Sequence, residues 1–192
     1  MSIRQRVWHG VLHLFNWRVN GTLPEPRRFV VVAAPHTSNW DFLLAMAAVR
    51  ALGIRPSILA KQSLFRSPFG WVFRRLGLIP VDRSRPSGVV GQVAAAFAAT
   101  ESLVLVVTPE GTRSRTEGWR SGFYRIALAA GVPIVPVAVD GDRRELRIGG
   151  PMWLTGEVTA DMDRLRRFFA SAGGMRPDRR GPVRLTEEEG GV

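Results

Sequence analysis

The stretch FVVVAAPHTSNWDF (residues 29–42) decides the fold. Its first six residues are apolar without alternation, which is typical of a strand buried on both faces of a sheet. The residues from Asn39 to Leu52 then have helical spacing and end at Gly53, a residue that commonly terminates helices. A buried strand, a short polar loop and a helix therefore follow one another directly.

The same alternation of strand and helix continues along the chain. Predicted strands cover residues 29–34, 56–61, 78–81, 103–108 and 134–139, with less regular β structure over 145–155. Predicted helices cover residues 3–19, 39–52, 67–76, 88–100, 118–130 and 159–172. This order predicts an α/β fold with a mostly parallel central sheet flanked by helices.

The two ends of the chain differ from this pattern. Residues 1–20 predict an amphipathic N-terminal helix whose stripe includes Ile3, Val7, Val11 and Leu14. Such a face, with tryptophan and arginine at its margins, either lies in a membrane interface or packs on the core. Residues 1–173 are expected to form one domain. Residues 174–192 are rich in Gly, Pro, Arg and Glu, and we expect a flexible tail there.

Composition narrows the possible functions. Without cysteine, the chain has no disulfide, thiolate nucleophile or cysteine zinc site. Its net charge of +11 favours anionic partners, namely nucleic acid, anionic lipid headgroups or phosphorylated substrates. Arginine dominates the basic residues, which suits phosphate binding but equally fits a GC-rich genome. No apolar run reaches the roughly 20 residues of a membrane span, so we expect a soluble or peripheral protein.

His36 and Asp41 form the first candidate site. His36 follows a buried strand, and ligands bind at the carboxyl ends of strands in open α/β sheets. A carboxylate that bonds the second nitrogen of an imidazole can hold its tautomer and balance its charge during general-base catalysis. Spacing leaves a structural alternative open, because Ser38 and Asp41 also fit a helix N-cap and its N3 partner.

Three further polar stretches follow predicted strands. In TPEGTRSR (residues 108–115), Gly111 permits a sharp turn, while Glu110 and Arg113 could grip an anionic headgroup or form a surface salt bridge. Arg83, in IPVDRSR (residues 79–85), could bind an anion or pair with its neighbour Asp82. Lys61 could attract a phosphate or have no specific partner. We expect these strand ends to converge with the first candidate site.

Four blocks taken in order carry a family resemblance. His-x-x-x-x-Asp, SLFRSPFGWVFRRLGLIPVDRS (residues 63–84), PEGTRS (109–114) and VPIVPVAV (132–139) resemble the glycerophospholipid (1-acylglycerol-3-phosphate, or lysophospholipid) acyltransferase family. The resemblance implies His36 as general base and Asp41 as its orienting partner. The acceptor-binding residues that it implies are Glu110, Gly111, Thr112, Arg113, Arg83 and Lys61.

The resemblance also implies the reaction and its partners. An acyl group passes from acyl-CoA or acyl-carrier protein, used as co-substrate without a cofactor or metal, to a lysophospholipid such as 1-acylglycerol-3-phosphate. We expect a bacterial phospholipid-biosynthesis enzyme on the cytoplasmic face of an anionic membrane, with no nucleic-acid partner. Open alternatives are a glycolipid or amino-lipid acceptor, an inactive lipid- or carrier-binding scaffold, and a basic nucleic-acid-binding module. The last lacks any recognisable nucleic-acid motif.

Overall fold

The computed structural model describes residues 2–22, 24–66, 68, 70–75, 77–82 and 86–186. The strands in this part of the chain are β1 (Arg18–Asn20), β2 (Arg28–Ala34), β3 (Pro56–Lys61), β4 (Leu78–Val81), β5 (Leu103–Val107), β6 (Ile134–Asp140) and β7 (Glu145–Ile148). The helices are α1 (Ile3–Leu14), α2 (Asn39–Ala51), α3 (Gly70–Arg75), α4 (Pro86–Ala98), α5 (Gly122–Ala130) and α6 (Val158–Phe169). Short 3-10 segments cover Gln62–Arg66 and Pro177–Arg179.

The strands form one sheet in the order β1-β7-β6-β2-β5-β3-β4. Every neighbouring pair is parallel except β6 and β7. The expected α/β fold with a mostly parallel central sheet is therefore confirmed.

Strand β2 is the centre of this architecture, because it lies between β5 and β6 and is parallel to both. Its odd-numbered residues from Phe29 to Ala33 belong to a core that α1 and α2 cover. Its even-numbered residues from Val30 to Ala34 belong to a second core, covered by α4, α5 and α6. Successive side chains of a strand point to opposite faces, so the unbroken apolar run serves two cores, as predicted.

The N-terminal helix is shorter than the predicted 1–20. Helix α1 ends at Leu14, and Asn16 adopts a left-handed conformation with φ of 60°. Asparagine tolerates this conformation better than most residues, so the chain turns there. Residues Arg18–Asn20 then form β1, parallel to β7. The prediction of helix over residues 15–20 is therefore wrong.

Residues 174–186, which we name the C-terminal strap, pack against the domain. The amide of Gly174 donates to the carbonyl of Val139 at 2.9 Å. Further along, Leu185 forms a parallel bridge with Trp119 and is only 3% exposed. The prediction of a flexible tail is therefore wrong for residues 174–186. Backbone hydrogen bonds attach this segment to the domain, although its composition resembles that of a linker. Residues 187–192 lie outside the described part of the chain.

The other predicted helices also change their limits: α4, predicted over 88–100, spans Pro86–Ala98, and α6, predicted over 159–172, spans Val158–Phe169. Helix α5 begins at Gly122 rather than at residue 118, because the backbone of Trp119 pairs with the strap through Arg184 and Thr186. Helix α3 occupies Gly70–Arg75 of the predicted 67–76, while residues 67, 69 and 76 lie outside the described residues.

The packing of the strap is testable at Leu185. Replacing this buried side chain with alanine leaves a cavity beside Trp119, so Leu185→Ala should lower the free energy of unfolding by about 2–4 kcal/mol. Arg179→Ala, at an exposed strap position, should change it by less than about 0.5 kcal/mol. Urea unfolding measures both values. Equal, negligible effects would mean that the strap is loosely attached.

Candidate active site

The loop between β2 and α2 holds His36 and ends in a capping box. The hydroxyl of Ser38 accepts the amide of Trp40 at 3.0 Å. The carboxylate of Asp41, at the third helical position, accepts the amide of Ser38 at 2.6 Å. The structural alternative for Asp41 is thus confirmed: it caps α2. Its charge also favours the helix N-terminus, where backbone amides are unpaired.

The Asp41 carboxylate has a complete set of donors. Besides Ser38, Oδ2 accepts the amide of Thr37 at 2.6 Å and its hydroxyl at 2.8 Å. Oδ1 accepts the amide of Met175, in the strap, at 2.8 Å. The residue is only 2% exposed. Because a buried carboxylate is stable only when hydrogen-bonded or paired, these bonds allow a charge to lie behind the loop.

His36 lies beside Asp41 without bonding to it. Within the described part of the chain, its buried Nδ1 has no hydrogen-bond partner, so the expected imidazole–carboxylate hydrogen bond is not formed. Burial lowers the pKa of His36 below its ordinary value of 6.5. The charge of Asp41 opposes this shift, whereas that of Arg113 adds to it. The imidazole is therefore neutral at pH 7, the state that a general base requires.

Glu110 approaches His36 from the loop after β5. Its Oε1 accepts the amide of His36 at 3.1 Å, so the two motif loops are directly bonded. The carboxyl group is only 7% exposed, and Oε2 has no partner among the described residues. Burial raises the pKa of Glu110 to about 7, partly opposed by backbone hydrogen bonds, while the charge of Asp41 raises it further.

The rest of the same loop reaches the surface. Gly111 has a φ of 66°, which confirms the sharp turn, and a side chain there would collide with Arg120. The Thr112 hydroxyl accepts the amide of Ser114. The Arg113 guanidinium is exposed and donates to the side-chain oxygen of Asn39 at 2.6 Å. Its position beside the start of α2 leaves further N–H groups available to an anion.

Of the two remaining predicted residues, Lys61 and Arg83, the structure describes only Lys61. Lys61 is exposed at the end of β3, which is parallel to β5, so it lies at the expected edge of the sheet. No contact of its side chain with His36 or Glu110 is found within the described residues. Arg83 lies outside the described part of the chain.

The sequence did not predict two of the hydrogen-bond partners in this site. Asn39, which holds Arg113, was visible only as a residue at the start of a helix. Met175 contributes its backbone N–H, and a backbone donor has no side-chain signature that could reveal it. Across the described residues, no cluster of three or more His, Asp or Glu side chains could hold a metal ion.

A histidine with a lowered pKa, beside one buried carboxylate and bonded through its backbone to a second, lies at the carboxyl edge of a parallel sheet, an arrangement suited to general-base chemistry. The chain belongs to the acyltransferase family: the family model described as Acyltransferase matches residues 16–140, well over half of the sequence. The resemblance carried by the four sequence blocks is thereby confirmed.

Individual relatives agree with this membership. The chain is 26% identical to the 1-acyl-sn-glycerol-3-phosphate acyltransferase of Haemophilus influenzae, over 81% of this chain and 67% of that protein. It is 30% identical to the Escherichia coli protein of the same name, over 62% of this chain and 49% of that one. The chain thus spans about half to two thirds of the length of these relatives.

A solved structure shows the same fold. The crystal structure of the 1-acyl-sn-glycerophosphate acyltransferase from Thermotoga maritima superposes with a TM-score of 0.59. The match covers 86% of this chain and 77% of that one at 19% identity, so it supports the fold alone.

Glu110 makes stability depend on pH. Its pKa of about 7 in the folded protein lies above 4.5, so the folded state binds its proton more tightly than the unfolded state. The contribution to stability is full below pH 4.5 and is lost as pH rises through 7, an effect on the order of 3 kcal/mol. Glu110→Gln should remove this slope. Urea unfolding from pH 5 to 8 measures it, and an unchanged slope in the variant would contradict the assignment.

Proposed function

We propose that this protein transfers an acyl group from a thioester to a hydroxyl group of a lysophospholipid, with 1-acylglycerol-3-phosphate as the preferred acceptor. The observation that carries the proposal is the pairing of a neutral His36 with an exposed Arg113 at one edge of the sheet. The first supplies a base, and the second supplies a cation for a phosphate beside it. The names of the relatives support the choice of acceptor.

The reaction needs one base and no covalent enzyme intermediate. Because Nδ1 is buried, Nε2 of His36 is the nitrogen that takes the proton from the acceptor hydroxyl. The acceptor oxygen attacks the thioester carbonyl, forming a C–O bond and a tetrahedral oxyanion. The oxyanion collapses, the C–S bond breaks, and the departing sulfur takes the proton from the imidazolium. The products are an ester and a free thiol.

The two carboxyl groups have different tasks in this reaction. Asp41 acts through its fixed charge, which favours the imidazolium that forms during attack. Glu110 holds the backbone of His36 and so sets the position of the ring. The thioester, from acyl-CoA or an acyl-carrier protein, is a co-substrate, and no step requires a cofactor or a metal.

An exposed apolar face favours a peripheral position on a membrane. Helix α1 packs Leu12 and Trp8 against the α2 side of the core, which leaves its predicted stripe facing outward. Ile3 is 80% exposed and Leu14 is 79% exposed. The helix therefore both packs on the core and presents an interfacial face. Among the described residues, no helix is long and apolar enough to cross a bilayer.

Two further apolar side chains are exposed on α2. Trp40 and Leu43 lie in the first turns of α2, within a few residues of His36. The net charge of the whole chain, +11, favours an anionic bilayer, which would deliver the acceptor. The location on the cytoplasmic face of the membrane is a prediction from the sequence alone.

The base is tested by removing it. His36→Ala should lower kcat by about 10²- to 10⁴-fold in transfer from labelled acyl-CoA, because no other described group stands in its position. His13→Ala, which removes an exposed histidine of α1, should retain nearly full activity. Full transfer by His36→Ala would refute the mechanism. A wild type without activity in any donor and acceptor combination would favour the scaffold alternative.

The acceptor is tested through Arg113. Because this guanidinium is placed to bind a phosphate, Arg113→Ala should raise KM for 1-acylglycerol-3-phosphate by about tenfold or more. Arg115→Ala, exposed in the same loop, is the matched control. The screen includes lysophospholipid, glycolipid and amino-lipid acceptors. A preference for an acceptor without phosphate would overturn the phosphate assignment but leave the acyl transfer in place.

Membrane attachment is tested on the α1 stripe. The triple variant Ile3→Ser, Val7→Ser, Leu14→Ser removes exposed apolar area, so its binding to anionic vesicles should fall by about tenfold or more. Leu128→Ser, at an exposed apolar position on α5, should bind like the wild type. Co-sedimentation with phosphatidylglycerol and phosphatidylcholine vesicles separates the apolar from the electrostatic contribution. Equal binding by all variants would exclude α1 as the anchor.

A further inference from the structure

The C-terminal strap contacts the His36 loop at its most buried point. The amide of Met175 donates to Oδ1 of Asp41 at 2.8 Å, and the amide of Arg176 donates to Oγ1 of Thr37 at 2.9 Å. Thr37 in turn donates its hydroxyl to Oδ2 of Asp41. Two consecutive backbone donors, 134 and 139 residues further along the chain, thus complete the surroundings of one carboxylate.

The position of Asp41 depends on these donors. The loop itself supplies N–H and O–H groups to Oδ2, whereas the donor to Oδ1 within the described part of the chain is Met175. A buried carboxylate oxygen without a donor is costly, so losing the strap would move Asp41 or admit water. Either change would displace the charge that faces His36.

The strap is attached to the domain on both sides of this contact. Before it, Gly174 bonds β6 through the carbonyl of Val139, and its own carbonyl accepts the amide of Gly141. After it, the Arg180 guanidinium donates to the carbonyls of Phe169 and Ala170 at the end of α6. The two donors to the loop are therefore held in place by neighbouring secondary structure.

Gly174 permits the close approach. Its φ is 69°, in the left-handed region. A Cβ atom at this position would lie 2.8 Å from Oγ1 of Thr37 and 3.5 Å from Oδ1 of Asp41. The first distance is too short for a real contact, so any side chain here would push the strap away from the loop.

We propose that the strap is a positioning element for acyl transfer: the amides of Met175 and Arg176 fix Asp41 and Thr37, and thereby the charge that assists His36. Gly174, Thr37 and these amides are positioning groups, since they act through Asp41. The proposal rests on the function proposed above for His36 and Asp41. It extends the site beyond the family match, which ends at residue 140.

Two matched pairs of variants test the strap. Thr37→Val removes the hydroxyl that links Arg176 to Asp41, while Thr37→Ser keeps it. Gly174→Ala places a methyl group against Thr37. Gly131→Ala introduces a side chain at another left-handed glycine, with φ of 58°, where nothing lies within 4 Å. The second member of each pair therefore controls for the substitution itself.

Steady-state kinetics and amide hydrogen exchange are measured on the full chain. Thr37→Val and Gly174→Ala should lower kcat about ten- to hundredfold, because small displacements of catalytic groups have effects of this size. KM for the thioester and the acceptor should stay within about twofold, since substrate contacts are untouched. Exchange should become faster at residues 36–41 and 174–176. Thr37→Ser and Gly131→Ala should match the wild type in both measurements.

Two results would overturn the proposal. Faster exchange with kcat within about twofold of wild type would make the strap mere scaffolding. Unchanged exchange at residues 36–41 in both test variants would show that the strap does not hold the loop. A wild type that transfers no acyl group refutes the proposed function instead, and exchange at residues 36–41 then decides on the strap alone.

Discussion

The site depends on the burial of one carboxylate, that of Asp41. A charge that is 2% exposed is stable only because two amides and a hydroxyl of its own loop, and one amide of the strap, donate to it. The same bonds start α2, give the loop its shape and place a negative charge behind His36. One group therefore links helix capping, loop conformation and the electrostatics of the base.

The loop after β5 supplies the other charged groups near His36. Glu110 is only 7% exposed and holds the His36 backbone, while burial raises its pKa to about 7. Arg113, on the same loop, lies at the surface beside Asn39. One turn at Gly111 separates a buried carboxyl group from an exposed cation. The result is a histidine with a negative charge beside it and an exposed cation nearby.

Local pattern was sufficient where a signal repeats along the chain. The unbroken apolar run of β2, the alternation of strands and helices, and Gly53 and Gly131 as helix ends are read directly from residue types. The polar residues after β2 and β5 were expected at one edge because parallel strands end there. The turn at Asn16 and the strand β1 after it were not predicted. Three residues are too few for a periodic signal, and β1 pairs with β7, which lies far away in the sequence.

By itself, the sequence determined the α/β class and predicted that His36, Asp41, Glu110 and Arg113 would lie at one edge of the sheet, because side-chain chemistry and periodicity are local properties. Only the tertiary structure decided that Asp41 bonds the backbone rather than the imidazole, that Glu110 is buried while Arg113 is exposed, and that the amides of Met175 and Arg176 reach the His36 loop. Each of these depends on which backbone groups meet after folding. Backbone groups are common to every residue and therefore have no signature in the sequence.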